Sequence, residues 1–271
     1  MTKEITQELH RAGAYVGRVG IGKNDCMIDL FSKHSEQYAE FRPTYPEALY
    51  QFIFSQLNSF NAAWDCGTGN GQAARVLAGK FKKVFATDIS AKQIEHAVKS
   101  DNIFYSVAGE EASLQDKSID LITVAQAIHW FDLDKFYREV KRVAKPNAVI
   151  AIWGYSLLSI NSDIDVHLKH FYKNVVGPFW NKERKLIDEE YKTIPFPFEE
   201  IESPAFEFSF DWTKDRLEGY LTTWSAVQKY IQTNQVNPVV KLMAETTPFW
   251  AQDHLKVTFP LFLRLGRVNP V

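Results

Sequence analysis

The sequence predicts an α/β fold: a doubly wound, mostly parallel sheet of seven strands, with helices on both faces and a helical cap. Short apolar runs alternate with helix-forming segments between residues 62 and 153, the order that builds a parallel sheet with crossover helices. Residues 119–125 and 148–153 are almost entirely apolar, as expected of parallel strands buried on both faces. A glycine-bearing turn at residues 65–71 joins an apolar run to a helix-forming run.

The periodicity of apolar residues predicts the individual elements. Ser90 and Gln93 match a capping box at a helix start. Pro260 lies inside the last strand and predicts a bulge or an edge position there. The predicted strands are 62–66, 83–87, 103–107, 119–125, 148–153, 206–212 and 257–265, and the predicted helices are 47–57, 71–81, one from residue 90, 133–144, 214–232 and 238–252.

The change of pattern after Tyr155 divides the chain into three parts. Residues 1–45 are expected to form an N-terminal arm and cap segment. Residues 46–156 are expected to form a cofactor-binding core of alternating strands and helices. Residues 157–271 are expected to add helical cap insertions and the last two strands of the sheet.

Composition excludes several classes of protein. The chain has 271 residues, a formal net charge of −2 and no block of Lys and Arg, so we expect no nucleic-acid surface. No apolar run reaches the length of a membrane span, so we expect no membrane contact. Two cysteines, Cys26 and Cys66, favour a reduced, cytoplasmic setting over a disulfide framework. No metal-ligand pattern is evident, and we expect no metal ion.

The turn at residues 65–71 predicts a nucleotide-like cofactor. Gly67, Gly69 and Gly71 alternate with other residues, which differs from the G-x-G-x-x-G spacing of dinucleotide sites. Asp65 stands beside the turn, where a carboxylate would repel a pyrophosphate and attract an ammonium group. Asp88 ends the next strand, in position to accept hydrogen bonds from ribose hydroxyls. The pattern suits S-adenosylmethionine, although a plain loop followed by a helix cap would also account for each part alone.

Together these residues resemble the class I S-adenosylmethionine-dependent methyltransferases, a Rossmann-like family. Residues 65–71 match its first motif, Thr87 to Ser90 match its ribose site, and residues 119–131 resemble a segment of its small-molecule branch, which includes trans-aconitate methyltransferase-like proteins. Residues 38–46 and 223–226 resemble further segments of that branch. The resemblance covers about residues 30–155 well and the rest loosely. Ala112 and Ser113 depart from the proline and leucine frequent in the family.

The resemblance implies cofactor-binding roles. Asp65 and the backbone near Gly67 would hold the methionine amine, Asp88 the ribose, and Ile89 and Glu110 would flank the adenine. The backbone of Ala125 would face the cofactor tail. Three aromatic residues, Tyr45, Trp130 and Trp224, would line the acceptor pocket near the sulfonium, and Tyr38 would contact the cofactor. For each aromatic residue, plain core packing is the alternative.

The acceptor is a small molecule under this interpretation, and its chemistry stays open. A carboxylic acid is ionised at neutral pH and needs no base, and Arg42 is the candidate that would clamp it. A phenol, alcohol or amine would need a base, and His129 is the candidate. The alternative role for Arg42 is a structural ion pair, and the alternative role for His129 is packing on Trp130.

Four functions compete. The leading prediction is a small-molecule methyltransferase, acting as a monomer or homodimer and releasing S-adenosylhomocysteine. A nicotinamide-dependent oxidoreductase conflicts with the glycine spacing and with Asp65. A nucleic-acid methyltransferase conflicts with the near-neutral charge. A cofactor-binding regulatory or scaffold protein without turnover is the non-enzymatic alternative.

Overall fold

The computed structural model describes residue 41 and residues 43–268. The strands described are β1 (Ala62–Cys66), β2 (Lys83–Asp88), β3 (Ile103–Val107), β4 (Ile119–Ala125), β5 (Ala144–Tyr155), β6 (Glu199–Ile201), β7 (Phe206–Trp212) and β8 (Leu255–Val268). The α-helices described are α1 (Glu47–Ser55), α2 (Gln72–Ala78), α3 (Ala91–Glu95), α4 (Leu133–Val143), α5 (Ser162–His170), α6 (Arg184–Asp188), α7 (Lys214–Thr222), α8 (Ser225–Asn234) and α9 (Pro238–Thr246).

The strands form one sheet in the order β3-β2-β1-β4-β5-β8-β6, and β7 also pairs with β8. Strands β1 to β5 are parallel, so their carboxyl ends lie on one edge of the sheet. The chain builds outward from β1 to β3 and then returns to place β4 on the other side of β1. This reversal leaves a crevice beside β1, where open α/β sheets bind ligands. The predicted α/β fold with a mostly parallel sheet is confirmed.

Two apolar cores cover the two faces of the sheet because side chains alternate along each strand. On one face Leu121 packs with helices α1 and α2 and with much of the segment after β5. On the other face Ile122 and Val124 pack against Phe136 and Val140 of α4. The near-continuous apolar runs of β4 and β5 therefore reflect burial on both sides.

Strand β8, in the carboxyl-terminal part of the chain, runs antiparallel to all three strands with which it pairs. The long strand β8 pairs with β5 along one side and with β7 and β6 along the other. The short strand β6 makes the sheet eight-stranded rather than seven-stranded. Three residues are too few to show alternation, so β6 left no periodic signal in the sequence.

Pro260 occupies a position in β8 that tolerates its missing N–H. Its carbonyl accepts a hydrogen bond from the Ser156 N–H (2.9 Å), just beyond Tyr155, where β5 ends. In antiparallel pairing the two backbone groups of one residue face the same neighbour, so the proline nitrogen faces the space past the end of β5. On its other side Pro260 pairs with Glu207 on β7, in a register that continues without a bulge. Pro260 is therefore at an edge position only on the side that faces β5.

The helical segment is more broken than the sequence predicts. The predicted helix 214–232 is two helices, α7 and α8, because Trp224 adopts an extended conformation between them (φ −66°, ψ 132°). The predicted helix 238–252 ends as α9 at Thr246 and continues as one 3₁₀ turn, Thr247–Phe249. Pro248 lies in that turn and has no N–H to extend the α-helix.

Within the part of the chain that the structure describes, no helix is both long and apolar enough to cross a membrane.

Asp120, near the start of β4, is a buried carboxylate that joins three segments. It accepts hydrogen bonds from Ser59 Oγ (2.6 Å), from the backbone N–H groups of Asn61 and Ala62 (2.9 and 2.8 Å), and from Lys145 Nζ (2.7 Å). Burial acts to raise the pKa of Asp120, but the bonds from Lys145, Ser59 and Ala62 outweigh it and hold the pKa below its usual value.

We expect Asp120→Asn to lower the free energy of unfolding by about 2 kcal/mol, because an amide leaves buried donors unsatisfied. The lowered pKa means that the charge stabilises the fold above the unfolded-state pKa and that this contribution is lost as pH falls through the folded pKa. Urea unfolding at neutral and acid pH measures both effects. The matched control is Asp116→Asn, an exposed partner of Arg142, for which we expect a much smaller loss. Equal losses in the two variants would contradict the assignment.

Candidate active site

A cavity opens at the carboxyl ends of β1, β2 and β4, where the strand order reverses. Its lining comes from the glycine turn, the ends of three strands, the 3₁₀ turn Ile128–Trp130 after β4, and from Pro43, Tyr45 and Tyr155. The lining residues include Gly67, Gly69, Asn70, Gln72, Asp88, Ile89, Glu110, Ala125, Gln126, Trp130, Tyr45 and Tyr155. Most of the predicted site residues in the described part therefore lie around one cavity.

The glycine turn has a backbone that other residues rarely adopt. Gly67, Gly69 and Gly71 have φ values of +71°, +56° and +83°, in the left-handed region that glycine enters without strain. A Cβ atom on Gly67 would lie 2.6 Å from the Cβ of Ala127, and one on Gly71 would collide with the hydroxyl of Tyr105. The turn therefore requires glycine for its conformation and for close packing.

Asp65 is buried behind the turn, with a side chain only 1% exposed. Its carboxylate accepts hydrogen bonds from Thr68 Oγ1 in the turn (2.5 Å) and from Thr123 Oγ1 on β4 (2.7 Å). Burial raises the pKa of Asp65, while these hydroxyl groups partly offset the shift. In the described structure Asp65 is not among the lining residues, so its carboxylate braces the turn from behind rather than facing the cavity.

Asp88 lines the cavity at the end of β2. Its carboxylate oxygens accept hydrogen bonds from the N–H groups of Gly69 and Ser90, each at 2.8 Å. Burial raises the pKa of Asp88, and the two N–H donors act against that shift. Ile89 beside it exposes 36% of its surface, so one carboxylate and one apolar side chain stand next to each other at the cavity wall.

Glu110 lines the cavity on the side of β3. Its Oε1 accepts a hydrogen bond from the N–H of Asp132 (2.9 Å), which caps α4. Ala125 ends β4 at the opposite wall. The structure thus brings Asp88, Ile89, Glu110 and Ala125 to one cavity from separate strand ends.

Gln126 is a cavity residue for which the sequence predicts no specific role. Its backbone is left-handed (φ +55°), and its buried Oε1 has no hydrogen-bond partner among the described residues. The same oxygen lies 2.5 Å from where a Cβ on Gly154 would stand. A strained residue with an unsatisfied polar atom at a cavity is a feature of functional sites. The only sequence signal was its position directly after a buried strand.

His129 lies behind the cavity wall. Its Nδ1 is 2.8 Å from the hydroxyl of Tyr191, and its ring packs on Trp130 with 4.8 Å between centroids. Burial, with a smaller effect from Arg184, lowers the pKa of His129 to about 3. Trp130 lines the cavity, whereas His129 is not among the lining residues in the described part of the chain.

The other aromatic residues predicted for the site do not share one location. Tyr45 lines the cavity and packs on Trp153 and Tyr155, with ring centroids 5.5 and 6.3 Å away. Trp224 is only 4% exposed and packs in an aromatic cluster with Tyr172 and neighbouring rings, away from the described cavity lining. The structure therefore places Trp224 in the core. Tyr38 and Arg42 lie outside the described residues.

Comparisons with known proteins point to one family. Residues 64–152 match the family described as methyltransferase domain. A proposed methyltransferase of Dictyostelium discoideum is 38% identical over 249 residues, covering 88% of this chain and 95% of that protein. The solved structure of a proposed type II methyltransferase from Anaeromyxobacter dehalogenans is 37% identical, with a TM-score of 0.80 over 85% of this chain and 100% of that one. A malonyl-[acyl-carrier protein] O-methyltransferase of Marinomonas is 34% identical over 146 residues, covering 50% of this chain and 51% of that protein.

The chain belongs to the class I S-adenosylmethionine-dependent methyltransferases. The predicted enzyme class and the predicted cofactor, S-adenosylmethionine, are confirmed. The residues present fit this cofactor, because the positive-φ turn brings Gly67 and Gly69 to the cavity wall without side chains, and because Asp88 and Ile89 offer a carboxylate beside an apolar surface. The resemblance to the trans-aconitate branch stays a prediction.

We expect Asp88→Asn to weaken binding of S-adenosylhomocysteine about thirtyfold, because hydrogen bonds to a charged group contribute about 2 kcal/mol. Isothermal titration calorimetry measures the dissociation constant. The exposed Asp101→Asn is the matched control and should bind like the wild type. A wild-type affinity in Asp88→Asn would rule out this role for the carboxylate.

His129 should make the protein less stable in acid. Its lowered folded-state pKa means that the unfolded chain binds a proton between about pH 6.5 and pH 3 that the folded chain does not. Stability from the neutral ring is complete above the unfolded pKa and falls by about 1.4 kcal/mol per pH unit below it. His129→Gln should therefore lose less stability than the wild type between pH 7 and pH 5 in urea titrations. Parallel losses in both proteins would refute the burial of a neutral ring.

Proposed function

We propose that this enzyme transfers the methyl group of S-adenosylmethionine to the carboxylate of a small molecule and releases a methyl ester. The cofactor supplies an electrophilic methyl group on a sulfonium, and the products are the ester and S-adenosylhomocysteine. An ionised carboxylate accepts the methyl group without losing a proton. We also propose that the enzyme is cytoplasmic and that it acts on a soluble acid as a monomer or homodimer.

The position of His129 in the structure is the observation that favours a carboxylate as the methyl acceptor. A phenol or amine acceptor needs a base, and His129 is the residue that the sequence predicts for that role. Its ring is buried, hydrogen-bonded to Tyr191 and lowered in pKa to about 3, so it is a weak proton acceptor at neutral pH. An acceptor that is already ionised fits these surroundings better.

The relative from Marinomonas supports the same acceptor chemistry. Its name specifies O-methylation of a malonyl group, and a malonyl group carried on a protein retains one free carboxylate. The match covers about half of each chain, so it bears on the chemistry more than on the identity of the acceptor.

The cavity residues take the following roles under this proposal. Asp88 and Glu110 accept hydrogen bonds from the ribose and adenine part of the cofactor, and Ile89 packs on the adenine. The backbone of Ala125 and the backbone near Gly67 hold the methionine part, and Asp65 supports the turn from behind. Tyr45 and Trp130 form walls that exclude water around the methyl group. Arg42 keeps its predicted role as a carboxylate clamp.

Methyl-transfer assays with a panel of acids, phenols and amines test the acceptor. We expect methyl esters from acids, detected by mass spectrometry, and a rate that stays level from about pH 6 to pH 8, because a carboxylate is fully ionised there. A rate that rises through this range on a phenol or amine would contradict the proposal.

His129→Gln separates the two acceptor classes further. If His129 only positions Trp130, kcat should fall by at most about tenfold, whereas the loss of a general base costs about a hundredfold or more. Binding of S-adenosylhomocysteine, measured by calorimetry, checks that the variant keeps its cofactor site. A hundredfold loss in kcat with normal cofactor binding would favour the base.

A further inference from the structure

A second cavity adjoins the cofactor cavity and differs from it in charge. The two cavities share Pro43, Asn70 and Gln72 in their linings. Beyond these residues the second cavity is lined by Arg75, His96 and Arg216, together with the aromatic rings of Phe210 and Trp212. We call it the arginine pocket, after Arg75 and Arg216. The shared lining residues place the two cavities side by side.

Arg216 is held in place by aromatic rings. Its guanidinium carbon lies 5.0 Å from the ring centroid of Phe41 and 5.7 Å from that of Trp212. Stacking of this kind uses the face of the guanidinium and leaves its N–H groups at the edge for hydrogen bonds. Trp212 is itself only 5% exposed, so Arg216 packs on a buried ring that limits its movement.

Among the residues that the structure describes, none neutralises the positive charge of the pocket. No Asp or Glu is among the lining residues in the described part of the chain. Within that same part, neither Arg75 nor Arg216 has an ion pair with a carboxylate, although eight other lysine and arginine residues form pairs closer than 4 Å. Two guanidinium groups from separate elements, α2 and α7, thus line one concave site with hydrogen-bond donors available.

We propose that the arginine pocket binds a second anionic group of the methyl acceptor, a carboxylate or a phosphate. The planar fork of N–H donors on arginine matches either anion in a bidentate arrangement. The acceptor then carries two anionic groups: one reacts in the cofactor cavity, and the other is held by Arg75 and Arg216. This inference rests on the proposed carboxylate acceptor, and it adds that a distal charge selects among acids.

The proposal is tested with acceptors that differ only in the distal group. Dicarboxylic acids of increasing length are compared with their monomethyl esters, which retain one carboxylate, and with phosphorylated monocarboxylic acids of matched length. For the wild type we expect the dianionic acceptors to have a KM at least about tenfold lower than the monomethyl esters, as charged hydrogen bonds predict. The better of the two dianionic series identifies the distal group as carboxylate or phosphate.

Four variants assign the effect to residues. Arg75→Gln and Arg216→Gln should each raise the KM of the dianionic acceptor at least about tenfold, with a smaller change in kcat. The KM of the monomethyl ester should stay as in the wild type. Arg216→Lys should recover part of the effect. Arg138→Gln, an equal charge change at an exposed position of α4, is the control. Because Arg75 is also exposed, its variant tests the pocket even if loss of Arg216 disturbs folding.

A binding measurement separates this inference from the acceptor proposal. The complex with S-adenosylhomocysteine is titrated calorimetrically with glutarate and with inorganic phosphate. If no acid is methylated but one of these anions binds and Arg75→Gln abolishes that binding, the carboxylate acceptor is wrong and the anion site stands. If acids are methylated with equal KM for dianionic and monomethyl forms, and neither arginine variant alters KM or anion binding, the arginine pocket is refuted while the proposed function stands.

Discussion

The buried carboxylate of Asp65 is the constraint on which the cofactor cavity depends. It accepts hydrogen bonds from Thr68 in the glycine turn and from Thr123 on β4, and so joins the turn to the strand on the other side of β1. The N–H groups of Gly67 and Thr68 donate to the carbonyl of Thr87 on β2, at 2.8 and 2.9 Å. A carboxylate that is buried needs such partners to offset its lost hydration. Because the partners come from the turn and from β4, the cavity floor is preorganised by the same bonds that hold the sheet together.

The aromatic residues of the second half of the chain serve mainly as core. Phe208, Phe259 and Tyr220 pack around β7 and β8 with ring centroids 5.2 to 5.5 Å apart, and this cluster fixes α7 against the sheet. The consequence for the site is indirect. A rigid α7 presents Arg216 toward the cofactor side of the molecule, while Tyr45 and Tyr155 carry the edge of the same aromatic core into the cavity wall.

The features that the sequence predicts correctly are those with a local sequence pattern. The parallel strands and the glycine turn have their signals within short windows, since apolar runs, alternating glycines and a strand-end carboxylate are all local in sequence. The extended conformation of Trp224 had no such signal, because its ring is held by distant residues such as Tyr172. The left-handed backbone of Gln126 and the burial of His129 against Tyr191 likewise arise from packing between separate segments.

The sequence by itself determined the class of fold and the cofactor, because both depend on residues close together in the chain: a strand, three glycines, and Asp65 and Asp88 at neighbouring strand ends. The tertiary structure decided which way those groups face. It turned Asp65 away from the cavity, placed Trp224 in the core, and brought Arg75 and Arg216 to one pocket from distant helices. Side-chain direction and long-range proximity follow from how the cap packs on the sheet, and no local pattern encodes that packing.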